Sequence, residues 1–246
     1  MRDDAAVDVL LAAQIGGRVT CLSLLRMLGV FVLRVDRVHV GVPRNGSRLT
    51  RRSAGTHRTH WGSGSDEDPR HATSIEEAII LAIRCQSARA SVATLDSLLH
   101  RRLVTQDRLR EIFRGLPSRF GVLLSLVDGS AESGPETFVR LMLRTLGVAF
   151  EVQVRIGGVG RVDFVVDGWL IIECDSREFH EGWESQRRDR ARDLAAARLG
   201  YVTVRPLAAD ILHDYLGVQE ALRDVIVAFR GSADSGLRSQ LRRRAG

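Results

Sequence analysis

The sequence predicts an α/β fold in its C-terminal half, with a mixed central sheet flanked by helices. A mainly α-helical region with a small strand-bearing module precedes it. Three observations lead to this reading. Residues 161–175 form two apolar, strand-like runs around Asp167-Gly168. Residues 74–127 repeat apolar positions at helical spacing, and Val38, Val40 and Val42 alternate as in a strand.

Along the chain, residues 4–14 and 20–29 read as two short helices separated by Gly16-Gly17, with Thr20 as N-cap of the second. The alternating valines follow, and Pro43 ends that strand. Helix, helix and strand are the order of a winged-helix module. Residues 44–73 are rich in Arg, Ser, Gly and His and read as a basic loop, with a short strand at Thr56–Trp61. Ser74-Ile75-Glu76-Glu77 is a capping box that opens a helix with Ile75, Ala78, Ile79, Ala82 and Ile83 on one face. Further helices are expected over 91–101, after Thr105 and after Pro117.

Asp128–Gly134 is rich in turn residues and marks a boundary. Beyond it the expected order is a helix from Pro135 to Gly147, a strand at Phe150–Arg155 and the hairpin 161–175. A helix over 184–199 with Gly200 as C-cap, a strand at Tyr201–Arg205 and a helix over 217–230 complete it. The tail from Gly231, with Arg242-Arg243-Arg244, reads as disordered. The expected domains are therefore 1–70, 71–128, 129–230 and the tail 231–246.

Composition narrows the function classes. The 246 residues are 44% hydrophobic and 27% charged, with a formal net charge of +6. That balance suits a folded protein with a polyanionic partner. All 36 basic residues are arginine, so no lysine ammonium serves in catalysis here. Cys21, Cys85 and Cys174 are far apart and lack C-x-x-C spacing. Neither a disulfide framework nor a zinc knuckle is expected, and a reducing cytoplasm is. His57, His60 and His71 read as solvated loop histidines without a cysteine or carboxylate partner at metal-ligand spacing. No run is long and apolar enough to predict a membrane span.

The hairpin carries the chemistry. Asp163 and Glu173 stand where half-buried strands ordinarily carry apolar residues, and a buried carboxylate is costly unless a cation or donor meets it. A three-residue loop of Val166-Asp167-Gly168 pairs Val165 with Trp169. Asp163 then faces Ile171, with Glu173 on the same side as a diagonal neighbour at about 7–8 Å. Two carboxylates so placed suit one Mg²⁺ or Mn²⁺. Their mutual repulsion predicts that neutralising either leaves the metal-free protein as stable or more so.

Around this hairpin, residues 132–210 resemble the very-short-patch-repair-like endonuclease domain of actinobacterial proteins, within the PD-(D/E)XK, restriction-endonuclease-like fold. The matching residues are Glu132-Ser133-Gly134-Pro135-Glu136, Gly160-Arg161-Val162-Asp163, Glu173-Cys174-Asp175, His180, the stretch with Arg190, Arg192 and Asp193, and Leu199-Gly200-Tyr201. The preceding region resembles, more loosely, antitoxin-like winged-helix segments. The resemblance implies that Asp163 and Glu173 bind the metal, with the Cys174 carbonyl as a third ligand, and that Glu136 holds a metal-bound water. The lysine of the general E-x-K pattern falls at Asp175, which opens the identity of the general base. His180 is the candidate, since imidazole titrates near neutral pH.

The reaction so implied is hydrolysis of DNA phosphodiester bonds. Arg187, Arg188, Arg190 and Arg192, with Arg51 and Arg52 in the basic loop, are the expected phosphate contacts. Two other readings stand beside it: an antitoxin-like DNA-binding regulator with an inactive nuclease fold, and a non-catalytic interaction protein. Singly, each residue also has a plainer role. Asp163 can pair with Arg161 or Arg190, Glu136 can sit at a helix N-terminus, and the arginines of 187–192 can form a solvated ion-pair face.

Overall fold

The computed structural model describes residues 2–44, 55–64, 69–175 and 183–233. They form two compact units, Met1–Gly134 and Pro135–Gly246, both of mixed helix and strand. Arg51, Arg52, His180 and the tail from residue 234 onward lie outside the described residues.

The first unit begins with α1 (Arg2–Ile15), β1 (Arg18–Val19) and α2 (Cys21–Met27). β2 (Val38–Val42) and β3 (His57–Trp61) complete a three-stranded sheet in the order β1-β2-β3. β1 is antiparallel to β2, but β2 and β3 run parallel, with His39 level with Arg58 and Gly41 level with His60. The two expected helices and the strand are present, but β1 comes between the helices, and β2 and β3 do not make the antiparallel hairpin of a wing. A parallel pair needs a connection of about a dozen residues or more, and the stretch between Val42 and His57 meets that length. β2 is buried on both faces over His39–Val42. Gly17 makes room for it, because a Cβ there would come within 2.5 Å of a Val40 methyl and 2.6 Å of the Gly41 carbonyl.

The helices of this unit are α3 (Ile75–Cys85), α4 (Ala88–His100), α5 (Gln106–Arg114) and α6 (Gly121–Leu126), with a short 3₁₀ turn at Ser118–Phe120 before the last. Ser74 caps α3 by accepting from the Glu77 amide at 3.3 Å. The other half of the expected capping box is diverted: the Glu77 carboxylate accepts from the Gly64 amide at 2.9 Å and ties the end of β3 to α3. Ser87 and Thr105 cap α4 and α5 in the same way.

The second unit has α7 (Gly134–Leu146), β4 (Phe150–Ile156), β5 (Gly160–Val166), β6 (Leu170–Ile172), α8 (Trp183–Arg198), β7 (Val202–Val204), α9 (Ala208–His213) and α10 (Tyr215–Ala233). The four strands lie in sequence order. β4, β5 and β6 are antiparallel neighbours, and α8 carries the chain across so that β7 runs parallel to β6. Val165 and Ile171 pack with Ala196 of α8. The Trp169 ring meets Phe229 of α10 at 5.1 Å, and Phe138 of α7 meets Tyr215 at 6.0 Å. The helix α9 had no sequence expectation, and α10 continues past the predicted end at residue 230.

The hairpin register differs from the expected one. Val166 pairs with Leu170 and Val165 with Ile171, so the loop is Asp167-Gly168-Trp169, one residue later than predicted. The cause is β4. Its ladder holds Val166 opposite Phe150, and the Asp167 amide donates to the Ala149 carbonyl at 2.8 Å, which keeps Val166 in the strand. Asp167 and Gly168 then both turn with left-handed backbone, φ 48° and 69°.

Candidate functional site

The later turn brings the two carboxylates closer in register than the sequence suggested. The β5–β6 pairing, continued by one step beyond Phe164↔Ile172, sets Asp163 opposite Glu173 instead of Ile171. On the other side, the β4–β5 pairing passes over Gln153 between Val152↔Phe164 and Val154↔Val162, which sets Gln153 opposite Asp163. Gln153, Asp163 and Glu173 thus form one row across three strands. Gln153 has a left-handed φ of 53°, costly for a side chain other than glycine. Its amide donates to Glu136 Oε2 at 2.8 Å and so links α7 to the row. Glu136 is buried, with 7% of its surface exposed.

Electrostatics divide the carboxylates. Burial pushes the Asp163 carboxyl up to about 6, and the negative charges of Glu136 and Glu173 add to that, against the Cys174 amide that donates to Asp163 Oδ2 at 2.8 Å. Glu173 is matched with cations. Its Oε1 accepts from Arg192 at 2.8 Å and its Oε2 from Arg205 at 2.6 Å. Arg205 is held in turn by both oxygens of Asp193, at 2.7 and 2.5 Å. Asp163, Glu173, Cys174 and Asp175 line one cleft with Arg161, Arg192 and Arg205. The Asp175 amide and carbonyl anchor the chain to Pro206 and Ala208.

The expected phosphate contacts separate. Arg187, Arg188 and Arg190 are on α8, with Arg187 and Arg188 exposed, and Arg190 lies over the Trp183 ring at 5.9 Å. Arg192 turns inward and clamps the sheet, donating to the Val159 and Arg161 carbonyls at 2.9 and 2.8 Å as well as to Glu173. Its Nε and Nη2 are thus engaged within the unit, on Val159, Arg161 and Glu173. Arg205 was not anticipated. A lone arginine after a short strand carries no local signal, and only the parallel β6–β7 pairing brings it to Glu173.

A second group of residues was read differently in the sequence. In the first unit Cys21, His39, His60 and Cys85 converge, and one ligand atom from each lies within 4.8 Å of all the others. His39 Nδ1 and His60 Nε2 are 3.0 Å apart, and Cys85 Sγ is 3.9 Å from His60 Nε2. This set of two thiols and two imidazoles can hold a metal ion, and it is not a Mg²⁺-type donor set. His60 is therefore no solvated loop histidine, and two of the cysteines do have histidine partners. Their spacing along the chain follows no compact metal motif, because each ligand comes from a different element. Burial pushes the Cys21 thiol up. Hydrogen bonds with Cys21, His39 and His60 in turn hold the Cys85 thiol below the usual thiol range.

Searches of family models, curated proteins and solved structures return no match to this chain. Among the described residues, no helix is long and apolar enough to cross a membrane.

Proposed function

We propose that the second unit is a metal-dependent endonuclease of the very-short-patch-repair-like type, hydrolysing DNA phosphodiester bonds. The observation that carries this reading is the row Gln153–Asp163–Glu173, with Glu136 tied to it through Gln153. Asp163 and Glu173 would hold a Mg²⁺ or Mn²⁺ ion, and the hard oxygen donors suit either. The lifted Asp163 carboxyl fits this, since a cation is what relieves clustered negative charge. When bound, the ion would polarise the phosphate and lower the pKa of a bound water. Gln153 holds the Glu136 carboxylate in place and the Cys174 amide orients Asp163. Arg187, Arg188 and Arg190 stand outside the clamp that engages Arg192 and would take DNA phosphates. The order of helix, three antiparallel strands, helix and parallel strand supports the restriction-endonuclease-like reading of the fold.

One observation favours a second reading. Both oxygens of Glu173 are engaged by arginines, as in a structural ion pair. A DNA-binding regulator with an inactive nuclease fold accounts for that pairing. Purified protein incubated with supercoiled, mismatched and single-stranded DNA, with Mg²⁺ or Mn²⁺, decides between them. Cleavage lost in Asp163→Asn supports the nuclease. Salt-sensitive DNA binding without cleavage supports the regulator, and no DNA binding at all leaves the non-catalytic interaction protein.

A further inference from the structure

Cys21 is the first residue of α2, His39 lies in β2, His60 in β3, and Cys85 is the last residue of α3. Four separate elements thus contribute one soft or borderline ligand each, and α2 and α3 pack against one another. His39 and His60 project from the same face of the β2–β3 pair, because His39 is level with Arg58 and His60 lies two residues further on. Their rings stack with centroids 5.2 Å apart, which aligns the two nitrogens. Cys21 is fully buried and His39 is 5% exposed.

A tetrahedral zinc ion sits about 2.0–2.1 Å from nitrogen and about 2.3 Å from sulfur, so its ligand atoms lie roughly 3.3–3.8 Å from one another. The four atoms here are already within 4.8 Å, with the two nitrogens at 3.0 Å. Only small side-chain shifts separate the two arrangements. The backbone gives an independent indication. Cys21 has a left-handed φ of 52°, a conformation that a cysteine holds only where its surroundings over-determine it, and such strain gathers at ligand sites. The His39 amide donates to Ser23 Oγ at 3.0 Å, which locks β2 against α2 and positions the histidine.

We infer that Cys21, His39, His60 and Cys85 form a structural zinc site of the Cys₂His₂ type. Two thiolates and two imidazoles in tetrahedral array select zinc over hard cations. Four protein ligands leave no position for substrate, so the site is structural and independent of the carboxylate cleft. It gives a physical account of how the sheet holds together. β3 reaches β2 only through the long connection 43–56, and a metal clip across such connections removes much of the closure entropy of the unfolded chain. Zinc binding releases the proton that the Cys21 thiol still carries and stabilises the folded state.

The test uses the full-length chain, purified without chelator from zinc-supplemented cells and analysed for metal. Wild type should carry about one zinc per chain, and Cys85→Ser or His60→Ala below about a tenth of that. Glu173→Gln should keep its zinc, which separates this site from the cleft. Replacing zinc with Co²⁺ should give thiolate-to-cobalt charge-transfer absorption. Should the variants fail to fold, wild type alone suffices: zinc should slow alkylation of Cys85 by about tenfold relative to chelator-treated protein, and chelator should lower the melting temperature. Wild type that binds no zinc after reconstitution overturns the inference. So does zinc lost from Glu173→Gln but retained by Cys85→Ser, or a Cys21–Cys85 disulfide in the folded protein under reducing conditions.

Discussion

Asp163 and Glu173 are neighbours with opposite electrostatic circumstances, and their variants should differ. The Asp163 carboxyl titrates near 6 when folded, against an ordinary 3.8. Its protonated form is therefore favoured by folding. The associated stability is complete below about pH 4 and lost as the pH rises through 6. Metal-free Asp163→Asn should abolish this fall and exceed wild type at pH 7 by about 1 kcal/mol, discounted for partial exposure. Urea unfolding at pH 4.5 and 7.5 checks it, and equal pH slopes in the two proteins would refute it. Glu173→Gln should do the reverse. It strands Arg192 and one side of Arg205, and should cost about 1–3 kcal/mol. The sequence-based expectation that neutralising either carboxylate is harmless thus extends to Asp163 alone, since the arginines around Glu173 were not foreseeable. Added Mg²⁺ or Mn²⁺ should raise the melting temperature of wild type but not of Asp163→Asn.

At the scale of elements, the sheet of the first unit depends on a close approach at Gly17. Gly17→Ala puts a methyl group into the Gly41 carbonyl and a Val40 methyl. Backbone must move to admit it, so the variant should lose about 1–3 kcal/mol, measured by thermal or urea unfolding. Loss below about 0.5 kcal/mol would mean that β1 and β2 separate freely. Helices were the most legible elements. Ser74 and Thr105 each open a helix where expected, through a bond to the amide three residues on, since capping is decided within four residues. Ser87, not picked out in the sequence, starts α4 at Ala88 instead of residue 91. Strand pairing was less so. The parallel β2–β3 pair and the one-residue shift of the hairpin turn depend on pairing between strands that no local pattern reports, and for the turn that is the β4 ladder.

Taken as a whole, the chain divides into two compact units, and the arginines of α8 are where DNA contact is proposed. Replacing Arg187, Arg188 and Arg190 together by Gln should weaken DNA binding at any sequence. It should lower the slope of log affinity against log salt by up to about 3, near one for each arginine that meets a phosphate. Fluorescence anisotropy across a salt series measures this, and an unchanged slope would move the interface elsewhere. What the sequence by itself determined is local: helix faces, caps, apolar strand runs and two carboxylates out of place in a hairpin. These follow from 3.6- and 2-residue periods and from the cost of burying charge. Tertiary structure alone decided the rest. It set Gln153 and Glu136 beside Asp163, brought Arg192 and Arg205 onto Glu173, and gathered Cys21, His39, His60 and Cys85 from four elements. Each of these groupings joins residues far apart along the chain, and no periodicity encodes which distant elements will fold against each other.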